Sequence, residues 1–146
     1  AEMAQAVFTN SEHFDIIIKT AAVSDYRPKE QSKTKIKKEK NEIALLLEKN
    51  PNILKELGNR KKGEILVGFA AETQNLKTYA QKKLTEKNLD IIVGNLVGQP
   101  KGGFGTDSNE VTFFYRDGTF ESLAEMGKDA VAHILLDRIL ERASVA

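Results

Sequence analysis

The chain has no cysteine and no tryptophan, and only three prolines and two histidines among its 146 residues. Without cysteine there is neither a disulfide framework nor a thiolate metal site. His13 and His133 stand 120 positions apart, with no HExxH pairing, so no metal held by protein ligands is expected. A GxGxxG fingerprint, a P-loop and a GxSxG elbow are all missing. Gly102-Gly103-Phe104-Gly105 follows no strand that opens a helix, and reads as a loop. Charge of one sign is lacking too. Lysine and arginine number 22 against 21 aspartates and glutamates, for a net charge of +1. That balance produces no overall basic field for nucleic acid. No apolar run approaches the roughly 18 residues that cross a membrane. Ala1-Glu2-Met3-Ala4 lacks the basic-then-apolar order of a signal peptide and has no initiator methionine. The expectation is a cytoplasmic chain, processed or part of a longer one.

What is present suits one soluble domain: 40% hydrophobic and 29% charged residues. Met3, Ala6 and Val7 have helical spacing and read as the end of a helix. Phe14-Asp15-Ile16-Ile17-Ile18 predicts a buried strand, and Ile43–Leu47 a second, short one. Asn50 then predicts a helix N-cap with Pro51 at the first helical position. This helix should reach about Leu57, with Gly58 at its end. Ile65-Leu66-Val67-Gly68-Phe69, a helix over 75–87 and Asp90-Ile91-Ile92-Val93-Gly94 form a strand–helix–strand unit of parallel-crossover length. Asp117-Gly118 between Val111–Tyr115 and Thr119–Leu123 is a hairpin signal. Val131, Ile134, Leu135 and Ile139 give a last helix, about 127–142, one apolar face. The order predicts an α/β fold, a three-layer Rossmann-like sandwich with a mostly parallel sheet and a C-terminal antiparallel hairpin.

The chemistry gathers where strands end. Ala21-Ala22-Val23-Ser24-Asp25-Tyr26-Arg27-Pro28 follows the first strand, and small residues there let a ligand approach the backbone. Residues 24–40 hold seven lysines and arginines against three acids. They form either a solvated loop or a flap that closes on phosphates, mobile until nucleotide binds. Asn50-Pro51-Asn52-Ile53 is an ordinary cap or an anion site at a helix start. Phe69 is core or a stacking surface for a base. Lys83 and Lys87, one turn apart, are solvent charges or phosphate ligands.

Taken in order, five segments are more specific than any one of them. They are Ala21–Arg27, Lys35-Ile36-Lys37-Lys38, Lys49-Asn50-Pro51-Asn52-Ile53-Leu54, Val67-Gly68-Phe69-Ala70-Ala71-Glu72-Thr73 and Lys87-Asn88-Leu89-Asp90-Ile91-Ile92-Val93-Gly94-Asn95. Together they resemble bacterial phosphopantothenoylcysteine synthetase, the synthetase part of the bifunctional coenzyme A biosynthesis flavoprotein. The resemblance spans nearly the whole chain and implies the C-terminal portion of that domain, residues 1–146, with the N-terminal portion and the flavin decarboxylase domain absent. It implies a homodimeric, CTP-dependent ligase that joins 4'-phosphopantothenate to cysteine through an acyl-cytidylate. Magnesium would arrive on the CTP, and no flavin would bind this part. No nucleic acid or membrane partner is implied. Lys35 matches the catalytic flap lysine. Ala21, Asp25, Lys35, Asn50, Pro51, Asn52, Ile53, Phe69, Lys83 and Lys87 match nucleotide-binding positions. Asn52 departs from the family's usual aspartate. The competing classes are a Rossmann-type NAD(P) oxidoreductase, disfavoured by the missing glycine fingerprint, and a non-catalytic nucleotide- or RNA-binding domain.

Overall fold

Three strands rich in β-branched residues lie parallel: β1 (Ile16–Lys19), β4 (Ile65–Glu72) and β5 (Ile91–Leu96). The computed structural model describes residues 2–32, 34–37, 42–96 and 107–144. The hairpin strands β7 (Thr112–Tyr115) and β8 (Phe120–Ser122) extend the sheet antiparallel, in the order β1-β4-β5-β7-β8. Its turn has Gly118 at a φ of 87°, which suits glycine. Helices α1 (Glu2–Asn10), α2 (Ile53–Arg60) and α3 (Leu76–Glu86) cover one face, and α4 (Lys128–Ala143) covers the other.

Strand alternation sorts the core into two halves. Leu66, Ala70, Ile92 and Phe114 meet α1, α2 and α3 through Ala4, Leu54, Leu57, Ala80 and Leu84. Val67, Ile91, Val93, Phe113 and Tyr115 meet Val131, Leu135 and Ile139 of α4. Each large side chain so buried contributes about 1.5–3 kcal/mol. Polar contacts fasten α4 as well. Arg138 clasps Glu121 of β8 through Nε (2.7 Å) and Nη2 (2.8 Å), and the Tyr115 hydroxyl donates to the same carboxylate at 3.0 Å.

Several expectations need correction. The first strand starts at Ile16 and is only half-buried, because it lies at the edge of the described sheet with a single neighbour. The second predicted strand shifts to β3 (Leu47–Lys49). It pairs antiparallel with β2 (Tyr26–Pro28) in a separate ribbon, where Arg27 meets Glu48 at 2.7 Å. Ile43, Leu45 and Leu46 precede it and are exposed, so their apolar run is not core. Arg27 and Pro28 thus belong to a strand, and the long loop begins after them. In α1 it is Ala4, with Val7 and Phe8, that meets the core, while Met3 is exposed.

The N-cap of α2 is Asn52, two residues later than expected at Asn50: its Oδ1 accepts the Lys55 N–H at 3.1 Å. Asn50 is engaged elsewhere, donating Nδ2 to the Ser24 carbonyl at 2.8 Å and its backbone N–H to the Asp25 carbonyl at 2.8 Å. Gly58 lies inside α2, which continues to Arg60. A second small ribbon, β6 (Ser108–Asn109) with β9 (Met126–Gly127), leads into α4 and has no forewarning in the sequence. The glycine-rich loop 99–105 lies outside the described residues, as do Lys33, Lys38 and Lys40.

Candidate functional site

Parallel strands point their C-terminal ends to one edge, and there the sheet opens a cleft of about 410 Å³, within the ordinary range for small-molecule sites. One wall is the chain that leaves β1: Lys19, Thr20, Ala21, Ala22, Val23, Ser24 and Asp25. Its small side chains leave the main chain exposed. Lys19 folds back, its Nζ donating to the Ala21 carbonyl at 2.8 Å. Asn50 ties this wall to the entry of α2 through the two bonds to Ser24 and Asp25.

The facing wall is the start of α2, with Pro51, Asn52, Ile53 and Leu54. A helix start leaves four backbone N–H groups without intrahelical partners. The Asn52 side chain takes that of Lys55, and the first intrahelical bond runs from the Glu56 N–H to the Asn52 carbonyl at 3.0 Å. Those of Ile53 and Leu54 carry no bond among the described residues. Partial positive charge at such a terminus favours an anion.

The floor comes from the end of β4: Phe69, Ala70 and Ala71. Phe69, in the C-terminal half of β4, is 43% exposed although Gly68 and Ala70 on either side are buried, so its ring is a surface of the cleft rather than core. Lys87, just past α3, reaches in half-buried. Burial holds its ammonium below the usual lysine pKa, and the charges of Lys83 and Lys19 push the same way. Asp25 and Glu86 oppose them. Such a lysine is short of negative partners and gains one when an anion arrives.

Ala21, Asp25, Pro51, Asn52, Ile53, Phe69 and Lys87 are therefore brought together. Lys83 is not a lining residue: its Nζ lies 2.6 Å from Glu72 Oε1. Asn50 acts behind the wall. Lys35 is exposed and carries no hydrogen bond or ion pair among the described residues. The cleft also includes residues the sequence reading passed over: Lys19, Asn95, Asn109 and Lys128. Lys19 and Asn95 end β1 and β5, so the strand-end rule that singled out Phe69 applies to them as well. Asn95 Nδ2 donates to Asn109 Oδ1 at 3.3 Å. Asn109 and Lys128 arrive through the β6–β9 ribbon, which had no sequence signal.

Asp25 is the only carboxylate among the described lining residues, against three lysines, Lys19, Lys87 and Lys128. The arrangement is therefore electropositive. Among the described residues no group of three histidine, aspartate or glutamate side chains is placed to hold a metal ion. No helix among them is long and apolar enough to cross a membrane.

Comparison with known proteins identifies the family and fold of the chain. Residues 1–143 match the family described as DNA/pantothenate metabolism flavoprotein C-terminal domain. The chain is 48% identical over 139 residues to the Coenzyme A biosynthesis bifunctional protein CoaBC of Bacillus subtilis (strain 168), which covers 95% of this chain and 34% of that protein. It is 39% identical over 145 residues to the protein of the same name from Escherichia coli (strain K12), covering 97% of this chain and 36% of the relative. The chain thus spans about a third of the length of the curated relatives it matches. In three dimensions it resembles the crystal structure of the C-terminal domain of Coenzyme A biosynthesis bifunctional protein CoaBC. The TM-score is 0.81 at 36% identity, over 99% of this chain and 63% of that one. The DNA/pantothenate metabolism flavoprotein from Streptococcus pneumoniae shares the fold, with a TM-score of 0.74 at 21% identity over 96% of this chain and 66% of that one.

Proposed function

Because the chain belongs to the DNA/pantothenate metabolism flavoprotein C-terminal domain family, we propose that it is the C-terminal portion of a phosphopantothenoylcysteine synthetase domain. Its cleft is read as the site for CTP. The reaction belongs to coenzyme A biosynthesis: the 4'-phosphopantothenate carboxylate attacks the α-phosphorus of CTP, pyrophosphate leaves, and an acyl-cytidylate remains. The cysteine amine then attacks the acyl carbon and releases CMP. The working protein is a cytoplasmic homodimer, and no flavin binds this portion.

One observation carries the reading. A half-buried lysine short of negative partners, Lys87, converges with the unbonded N–H groups of Ile53 and Leu54 across a wall of small residues. Polyphosphate is the ligand that such a set favours. Phe69 offers the base an apolar surface. Displacement at phosphorus needs positioning and charge neutralisation more than a protein nucleophile, which suits a cleft with no serine–histidine pair among its described lining residues. Magnesium would arrive on the CTP and would need few protein ligands, its chemistry being to neutralise phosphate charge, and Asp25 is the carboxylate that lines the described cleft. Lys35 closes over the phosphates from the loop between β2 and β3. The test is pyrophosphate release by the full-length protein from CTP and 4'-phosphopantothenate before cysteine is added. Release that requires both substrates supports the reading. Release that ignores phosphopantothenate, or none, refutes it.

The lowered pKa of Lys87 gives a signature in pH. Bound phosphate raises that pKa again. Between the two values the complex holds a proton that the free protein lacks. CTP binding therefore takes up protons there, and affinity falls as pH rises through that window. Calorimetry in two buffers of different ionisation enthalpy reads the uptake. Lys87→Met should abolish this uptake, and uptake that persists unchanged in that variant contradicts the assignment.

A further inference from the structure

We propose that Gly58 is a positioning residue for Lys87, setting where its side chain enters the cleft. The proposal rests on the reading of that cleft as an anion site. Helix α2 does two jobs at its two ends. Its first residues, Ile53 and Leu54, line the cleft. Five residues on, about 7.5 Å along the axis, Gly58 lies directly against the Lys87 backbone. A Cβ at position 58 would stand 1.9 Å from the Lys87 carbonyl oxygen and 2.7 Å from its carbonyl carbon. Those are main-chain atoms and cannot rotate away. Only glycine lets α2 and the end of α3 come this close.

The contact is locked from behind. Asn88 adopts a left-handed conformation, φ 52°, and its Nδ2 donates to the Gly58 carbonyl at 2.9 Å. Arg116, after β7, donates Nη1 to Asn88 Oδ1 and Nη2 to the Asn88 carbonyl, each at 2.8 Å. Its Nε reaches Asp90 Oδ1 at 3.1 Å. Asp90 accepts the Leu66 N–H of β4 at 2.7 Å and binds Lys61 Nζ at 2.7 and 2.5 Å. The turn between α3 and β5 is thus fixed to α2, to β4 and to the hairpin. None of Gly58, Asn88, Asp90 and Arg116 lines the cleft. What they hold is the backbone from which Lys87 extends. The charges facing its ammonium come from Lys83 and Glu86 on α3, Lys19 at the end of β1 and Asp25 beyond it.

Gly58→Ala must separate α2 from Lys87 by roughly 1.5 Å, and a misplacement of that size at a reacting or binding group can cost tenfold or more. Two measurements on the full-length protein test the proposal separately from the CTP reading. The first needs no ligand: the Lys87 ammonium is titrated by carbon-13 NMR of reductively methylated protein, assigned with Lys87→Arg. In the parent its midpoint lies below the ordinary lysine value, and in Gly58→Ala it moves back toward it. An unmoved midpoint overturns the proposal. The second is CTP affinity across the parent, Gly58→Ala, Lys87→Met and the double variant. Gly58→Ala should lose about tenfold, and the double variant should bind no more weakly than Lys87→Met alone. Additive losses would mean that Gly58 only supports the fold, and would overturn the proposal. If the parent binds no CTP, the CTP reading fails while the titration still decides Gly58. Should Gly58→Ala not fold, Arg116→Gln takes its place. It removes the outer lock from a side chain that is 49% exposed, and should shift the Lys87 midpoint in the same direction. No shift there counts against the proposal equally.

Discussion

Lys35→Gln in the full-length protein is expected to slow pyrophosphate release from CTP and 4'-phosphopantothenate about a hundredfold, equivalent to ~3 kcal/mol. On the proposed mechanism, negative charge grows on the α-phosphate oxygens and the departing pyrophosphate as the new bond forms. A cation brought by loop closure into a partly dried site meets that charge more effectively than water does. The Lys35 side chain is exposed and has no bond to break among the described residues, so recruiting it costs no existing contact. The loop that carries it leaves the β2–β3 ribbon after Pro28, and the other end of that ribbon is tied to the cleft wall where Asn50 holds Ser24 and Asp25. Lys29→Gln is the control: an equally exposed lysine at the base of the same loop, where its backbone N–H bonds to the Leu46 carbonyl at 2.9 Å. It should stay within about twofold of the parent. Binding of CTP should weaken far less than turnover in Lys35→Gln, because the lysine acts on charge that develops during reaction. A Lys35→Gln protein that releases pyrophosphate at the parent rate would reduce the basic run to a solvated loop.

The second large effect is on stability. Phe113 is fully buried between the sheet and α4, beside Val93 and Ile139. Phe113→Ala removes a ring from a packed core and leaves a cavity, at a cost of about 3–5 kcal/mol. That is a large share of the ~5–15 kcal/mol that holds a domain folded. Native-state hydrogen exchange of the Ile91–Val93 amides in the full-length protein reports this sheet without interference from other domains. Phe120→Ala on the same hairpin should cost about 1 kcal/mol or less, because Phe120 is 53% exposed. It meets Phe114 at a centroid separation of 6.2 Å and carries the Lys77 ammonium over its ring at 4.7 Å. Equal losses for the two phenylalanines would contradict the division of the core described above.

The parts of the fold legible in the sequence are those that local pattern determines. The apolar runs at 65–67 and 91–93 and the helix between them predicted the parallel crossover, and Asp117-Gly118 predicted the hairpin. Errors came where distant partners decide. Asn50 and Asn52 are equally good caps by composition. The tie from Asn50 to Ser24, across 26 residues, leaves the cap to Asn52. Ile43–Leu47 looks like core, yet the residues that form a strand are those able to pair with Tyr26–Pro28. The site followed the same division. Ala21, Asp25 and Phe69 follow from the rule that ligands gather at strand ends. Lys128 could not be found that way, because the β6–β9 ribbon brings it in. Gly58 read as a helix terminator and instead permits a close approach to Lys87, a contact across 29 residues that no local pattern encodes.

The most direct test of the central claim is a map of backbone amide shifts during titration of the full-length protein with CTP and magnesium. The account predicts that the largest changes fall at Ala21–Asp25, Asn52–Leu54, Phe69–Ala71 and Lys87–Asn88, with little change on the outer face of α4. Changes concentrated on α4 or on the β7–β8 hairpin, with the strand-end cleft silent at saturating CTP, would contradict it.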